Sequence, residues 1–424
     1  MPPGPQDDQA GPRRRELCVW LGTLATWRAG LIGKLVEHYE TVPQVLDRPV
    51  AELRAFLRPG RAITRDAAAA DSAGPVSDLV RREAAEADEQ RRAYGEVLAA
   101  TPAACAAAAA RPGRLAVAWS DALYPPALRR LKDPPLCLFV AARATGAVLS
   151  RRLTLLCGAP AAAVVGTRGP SPYGAEMAAL LGRDLALRGV VVVSGLALGV
   201  DAAAQAAALR AGSGAELPVV AVLGSGADVV YPRANARLHE GVLTEGLVVS
   251  EFTWGVPARK WRFPARNRVM AGLTRAVVVV EGSVRSGSRI TATFAEQVGS
   301  EVLAVPGEAG RKLTEAPHAL LRNGAAVCES ADDVVTALTG VKLDPELLAG
   351  DAAPEVVARL LEARSDDGRL AAVLRALDGG LATVDDVAAA CGLRVPEAAA
   401  LLSELEVEGL AALSGPGAYR LRRI

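Results

Sequence analysis

The stretch RFPARNRVMAGL (Arg262–Leu273), continued by AVVVVEG (Ala276–Gly282) and SVRSGSRIT (Ser283–Thr291), decides the fold. A basic helix start is followed by an unbroken apolar strand and then by a Ser/Gly turn that opens another helix. A strand apolar along its whole length is buried on both faces, as in a parallel sheet covered by helices on either side. The same rhythm extends in both directions. Strand-like runs occur at 161–166, 190–195, 219–226, 247–252, 276–282, 301–307 and 325–328. Between them the pattern predicts helices Tyr173–Arg188, Asp201–Ala211, Asn235–Leu243, Ala265–Leu273, Ser288–Val298 and Ala331–Leu338. Such β-α alternation predicts an α/β domain over 115–340 with a doubly wound, mostly parallel sheet.

The charge is concentrated in the same place. Arg259, Lys260, Arg262, Arg266, Arg268, Arg275, Arg285 and Arg289 face a single acid, Glu281, so eight cations against one anion leave +7 locally in a chain whose net charge is +1. That contrast excludes a uniformly basic coating protein and points to a polyanion bound at one site. Trp254, Trp261 and Phe263 lie among the arginines in a chain that is only 4% aromatic. Rings beside cations suit unstacked bases on a phosphate backbone.

Other classes recede. The six cysteines are scattered without a C-x-x-C pair, and the three histidines are far apart, so no metal site is expected and the thiols read as small buried residues in a reducing compartment. Arg13–Arg15 before LCVWLGTLATW (Leu17–Trp27) imitates a secretory leader. Glu16 and Arg28 interrupt it, and Leu17, Leu21, Leu24, Leu31 and Leu35 keep a helical face, so the expectation is a soluble helix, no membrane partner and a cytoplasmic location.

Outside the α/β region, residues 1–15 are expected to be a disordered tail and 16–100 a small helical N-terminal domain, with helices Glu16–Trp27, Gly30–Tyr39, Val50–Leu57 and Arg81–Leu98. Val42–Leu46 reads as a turn or half-helix, and 59–75 as a linker. Ala103–Ala110 suits either a helix or a spacer. A second linker is expected over 341–366. The tail 367–424 reads as a winged helix: Leu370–Leu377, then Thr383–Leu393 with Thr383 as cap and Gly392 at the turn, then Val395–Leu410 and a hairpin around Ser414–Gly417. From Arg369 onward six bases meet seven acids, and 395–408 holds four acids and no base. Phosphates would repel such a helix, so protein contact is the better reading.

The turns ending the predicted strands carry the candidate site. GTRGPSPYG (Gly166–Gly174) lacks the G-x-G-x-x-G spacing of a dinucleotide site but offers backbone N–H groups and Arg168 to a phosphate. SGLALGVDAAAQAAAL (Ser194–Leu209) holds Gly195, Gly199 and Asp201, the last read as a helix cap. GSGADVVYPRAN (Gly224–Asn235) leads to Tyr231, Arg233 and Asn235. Arg266, Asn267 and Arg268 are placed at a helix start after Pro264, where two arginines oppose the helix dipole and a bound anion would offset the cost. Ser286, Gly287 and Ser288 suit an anion nest. Glu251 and Glu281 end strands and read as ion-paired organisers rather than an acid/base pair. No nucleophile–histidine pairing and no P-loop is present, so no cofactor and no catalytic residue is expected.

Taken in order, SDALYPPALRRLKDPP (Ser120–Pro135), VVGTRGPSPYG, VVSGLALGVDAAAQAAAL, AVLGSGADVVYPRAN, SEF (Ser250–Phe252), FPARNRVMAGLTRAVVVVE, RSGSRITATFAEQ and EVLAVPG resemble the DNA-processing protein A (DprA/Smf) family over about 120–330. The resemblance implies a Rossmann-like domain that binds single-stranded DNA, helps load the RecA recombinase in transformation or recombinational repair, forms a homodimer and has no enzymatic activity. It also implies a SAM-like helical N-terminal region and often a winged helix. By motif, Arg168, Gly195, Gly199, Tyr231, Asn235, Arg266, Asn267, Arg268, Ser286, Gly287 and Ser288 would line the DNA groove, with Trp261 or Phe263 against the bases. The chain departs from the family at Gln205, where a histidine is usual, at Lys312–Pro317, which replaces a Ser/Gly-rich stretch, and in a longer 143–160 segment. The N-terminal region lacks the helix-hairpin-helix glycine pattern. The alternative is an enzyme similar to the lysine-decarboxylase-like phosphoribohydrolases. That family has P-G-G-x-G-T-x-x-E at the turn where this chain has SGSRITATF, with Phe294 in place of the glutamate.

Overall fold

The computed structural model describes residues 7–424 apart from 29, 59–74, 110–112, 213–214, 285, 340–368, 370–371, 374–375, 378–382, 408–410, 416–417 and 422–424. Both expected linkers fall almost wholly outside the described residues. The chain divides into two units, 1–339 and 340–424.

The first unit is built on a nine-stranded sheet. Its strands are β1 (Arg114–Ala118), β2 (Cys137–Ala141), β3 (Ala161–Val165), β4 (Val191–Ser194), β5 (Val219–Leu223), β6 (Leu247–Ser250), β7 (Ala276–Val279), β8 (Glu301–Ala304) and β9 (Ala326–Val327), in the order β1-β2-β6-β5-β4-β3-β7-β8-β9. From β6 to β9 all pairings are parallel. The chain steps outward from β3 to β6 and then returns to place β7 against the other side of β3. That reversal makes the β3/β7 boundary the switch point, outside whose strand ends an open α/β sheet binds its ligand.

Apolar runs explain both faces. Val165, Val193, Val222, Val249 and Val277 pack toward α11 (Arg262–Leu273) and α12 (Gly287–Gln297) through Val269, Met270, Ala292 and Ala295. Val164, Val192, Ala221, Val248 and Val278 pack toward α8 (Pro172–Leu187), α9 (Val200–Ala211) and α14 (Ala331–Thr339). Each buried valine contributes roughly 1.5–3 kcal/mol relative to exposure. The other helices of this half are α7 (Gly146–Gly158), α10 (Ala236–Glu245) and α13 (Glu315–Arg322). The long 143–160 segment is helix α7, and its Arg152 donates to the carbonyls of Glu216, Thr244 and Gly246.

Three expectations need correction. Strands β1 and β2 were not anticipated; β1 pairs antiparallel with β2 over five positions and β2 antiparallel with β6 over three, outside the β-α alternation that marks the other strands. The tail 1–15 is helical from Asp7, because Arg14 pairs with Asp47 at 2.6 Å and Arg15 reaches Asp121 and the Ala116 carbonyl. The N-terminal helices α1 (Asp7–Ala25), α2 (Leu31–Tyr39), α3 (Val42–Leu46), α4 (Val50–Leu57), α5 (Pro75–Ala99) and α6 (Pro102–Ala109) do not stand apart from the sheet. Leu17, Cys18, Trp20 and Leu21 share a core with Ala116, Ala118, Cys137 and Phe139 of β1 and β2. The alanine run is therefore helix α6, and Val42–Leu46 is helix α3, capped by Thr41.

The second unit has helices α15 (Val384–Cys391) and α16 (Val395–Val407) and the hairpin β10 (Ala411–Gly415)/β11 (Ala418–Leu421). Thr383 accepts from the Asp386 N–H at 3.2 Å, and Gly392 ends the helix at φ 66°. Val387, Leu402, Leu405 and Ala411 form its core, as a winged helix requires. Only part of the expected Leu370–Leu377 helix lies within the described residues.

Candidate nucleic-acid interface

Over the strand ends at the switch point lies a cleft of about 540 Å³. Its walls come from the turn after β3 (Gly166, Thr167, Arg168), from Ala197 and Asp201 after β4, and from Ser283, Ser286, Gly287, Ser288 and Thr291 around the start of α12. Phe263, Arg266, Asn267 and Met270 of α11 and the pair Lys312–Leu313 complete it. The four α11 residues are spaced i, i+3, i+4, i+7, one stripe of a helix. A cavity of about 70 Å³ adjoins it, sharing Arg168, Phe263 and Arg266 and adding Tyr231 and Gly195.

The loops are held by buried polar groups. Glu281, two residues past β7, accepts from the Ser171 N–H at 2.9 Å and hydroxyl at 2.5 Å, while its own carbonyl takes the Thr167 N–H at 2.7 Å. Ser171 caps α8. This fixes the loop carrying Arg168, whose guanidinium lies 5.2 Å above the Phe263 ring. Tyr231 and Phe263 are 5.6 Å apart. Gly199 has φ 81°, and a Cβ there would meet the Thr167 carbonyl at 2.4 Å. Asn235 donates to the Leu196 and Ala197 carbonyls, and Gln205 accepts from the Leu196 N–H while donating to Val220. The substituted Gln205 is thus a buried strut rather than a groove residue.

Arg266 is 6% exposed and bridges two strand ends, donating to the carbonyls of Gly195 (2.9 Å) and Val222. A Cβ on Gly195 would occupy its guanidinium. Burial pulls the Arg266 guanidinium down to about 10; Asp201 opposes the shift and Arg168 adds to it. Asp201 is raised by burial, against the pull of Arg266. Asp201 is not the helix cap expected: α9 begins at Val200, and the carboxylate accepts from the Gly195 N–H at 3.1 Å. Asn267 donates to the Gly287 carbonyl at 3.1 Å, tying α11 to α12. The Ser286 and Ser288 hydroxyls lie 2.6 Å apart, and Ser286 precedes α12 without a side-chain capping bond.

The basic stretch does not form one patch. Helix α11 starts at Arg262 rather than Ala265, so Arg266–Arg268 sit in its second turn and the dipole conflict expected there is much reduced. Arg268 is absent from the cleft wall: it pairs with Glu251 at 2.6 Å and nears Asp133 at 3.8 Å. Arg259 pairs with Glu86 and Glu89 of α5. Trp261 stacks edge-on against Phe252 at 5.8 Å and does not line the cleft, whereas Phe263 does. Arg285 lies outside the described residues. Glu251 is ion-paired as expected, while Glu281 is held by Ser171 instead. Sequence reasoning missed Thr167, Met270, Thr291, Lys312 and Leu313. Lys312, noted only as a departure from the family pattern, is exposed at the cleft because the Gly282 N–H donates to the Leu313 carbonyl at 2.6 Å. Phe294, in place of a hydrolase glutamate, packs against the core.

Comparison with known proteins identifies relatives. The family profile described as DNA recombination-mediator protein A matches residues 116–339, and that of the DprA winged helix domain matches 357–415. Protein Smf of Escherichia coli K12 is 37% identical over 302 residues, covering 71% of this chain and 75% of that protein. DNA processing protein DprA of Streptococcus pneumoniae R6 is 40% identical over 215 residues, 51% of this chain and 71% of that protein. The X-ray structure of Streptococcus pneumoniae DprA superposes with a TM-score of 0.55 at 29% identity, covering 76% of this chain and 97% of that one.

Proposed function

The chain belongs to the DNA recombination-mediator protein A (DprA/Smf) family, and from that premise we propose that its cleft binds single-stranded DNA without chemical turnover. The observation that carries this reading is the open stack at the cleft mouth, Arg168 over Phe263 with Tyr231 beside it, next to N–H-rich turns. A base has a ring to lie on, and its phosphates have Arg168, Lys312 and the Ser286–Ser288 turn within the same cleft. Arg266 and Asn267 line the same cleft, Gly195 lines the adjoining cavity, and Asn235 and Gly199 shape the loops from behind. The protein then acts by presenting the bound strand to the RecA recombinase, as a homodimer, in transformation or recombinational repair.

Anisotropy of a labelled oligo-dT of about thirty bases, followed across a salt series with duplex competitor, tests the reading. The expected result is binding that duplex does not displace and that weakens steeply with salt. Absence of binding at low salt would overturn it.

A further inference from the structure

Arg262 belongs to the helix that lines the cleft, yet its guanidinium points away from it. The residue is fully buried. It donates to the Pro257 carbonyl at 2.6 Å and to the Thr26 carbonyl, just past the end of α1, at 3.0 Å. The rings of Trp27, Phe252 and Trp261 surround it at 5.5, 5.2 and 5.1 Å. Three influences oppose a cation there: burial, the neighbouring Arg259, and the first turn of a helix, where the dipole disfavours positive charge. Burial and Arg259 bring the guanidinium down to about 10, which still leaves it charged at neutral pH. No carboxylate pairs with it directly among the described residues. A methionine or leucine would fill such an aromatic cage at less electrostatic cost, so what the arginine adds is direction: a planar fork that holds two carbonyls from different parts of the chain.

Those carbonyls join the N-terminal helices to the cleft. Thr26 clasps the same segment a second time, its hydroxyl accepting from the Thr253 N–H at 3.1 Å, and Arg259 adds the link to α5. The next residue after Arg262 is Phe263, the ring on which Arg168 rests. We propose that Arg262 is a positioning residue for the cleft. Through it the helical N-terminal region sets the placement of the first turn of α11, and so the stacking surface of Phe263, without touching the ligand. The inference rests on the single-strand reading of the cleft.

The experiment uses the full chain with Arg262→Met, Arg262→Lys and, as a phosphate-contact control, Arg168→Gln. Oligo-dT binding is measured against salt, with active fraction fixed by titration, and amide exchange of Phe263, Ala265 and Arg266 is followed without DNA. For Arg262→Met the expected affinity loss is about tenfold, with the slope of log K against log salt unchanged and faster exchange at those amides. Arg262→Lys, keeping the charge but not the fork, falls between. Arg168→Gln lowers the slope by about 0.7. Wild-type affinity and exchange in both Arg262 variants overturn the proposal, as does a slope that falls with Arg262→Met, which would make Arg262 a phosphate contact. If Arg262→Met does not fold, Arg262→Lys decides alone. If wild type fails to bind DNA, the cleft reading has failed, and the exchange of those amides still decides whether Arg262 positions the helix.

Discussion

Two sides of helix α11 carry the same residue types with opposite consequences. On the cleft side, Phe263 lines the cleft beneath Arg168, and Arg266 ties two strand ends together at the floor. On the far side, Trp261, Arg262 and Arg268 are closed against Phe252, Thr26 and Glu251. An arginine beside an aromatic ring is a binding element only where its donors remain available; where carbonyls or carboxylates occupy them, it is mortar. The count of cations locates the helix, but the occupancy of their N–H groups separates site from scaffold.

The largest test removes the geometry both sides depend on. Gly199→Val places a branched side chain at φ 81° against the Thr167 carbonyl and is expected to cost about 3 kcal/mol or more in chemical denaturation. A variant as stable as wild type would mean that the β3 and β4 turns do not interlock as described. Next, Arg266→Met strands the Gly195 and Val222 carbonyls and should lose about 2–3 kcal/mol of stability as well as DNA affinity. Arg168→Gln should leave stability within about 0.5 kcal/mol while weakening binding. If the two behave alike, scaffold and site are not separable in this way.

The rings give a sharper version. Phe263→Ala is expected to cost about 1–3 kcal/mol of single-strand binding with little change in salt slope. Trp261→Ala should instead lower the melting temperature and weaken binding by the folded fraction less than Phe263→Ala does. Reversal of that pattern would move the stacking surface to the far side.

The smallest effect concerns pH. Burial raises the Glu251 carboxyl above its ordinary value, with Arg268 opposing and Asp133 adding to the rise. A carboxyl whose folded value exceeds its unfolded one favours the fold at low pH, and that contribution is lost as pH rises through the folded value. Glu251→Gln has no such contribution to lose. The stability difference should therefore move toward the variant as pH rises above the ordinary carboxylate range. A shift the other way would show that the Arg268 pair outweighs burial.

Much of this was legible in the chain. Unbroken runs such as AVVVVEG announce a strand covered on both faces, and Gly195 and Gly199 mark turns that a side chain would obstruct. Strands β1 and β2 were not legible, because they pair antiparallel and lie outside the β-α alternation that marks the parallel strands. The roles of Arg266 and Arg268 were misjudged together as a helix-start pair. The stripe Phe263–Arg266–Asn267–Met270 was available at helical spacing and assigns Arg268 to the other side. The same stripe holds Phe263 and leaves out Trp261, whose ring partner Phe252 follows β6.

The two borders of the sheet differ in a way that bears on assembly. At one border the Ala116 carbonyl of β1 takes Arg15, and α1 and α6 pack over the strand. At the other, among the described residues, stands the two-residue strand β9, with Val327 half exposed. A sheet sealed at one border has at most one border left for strand pairing. Self-association through it would close at a pair related by a twofold axis and leave no free end to propagate, so concentration would fill dimers without drawing out filaments.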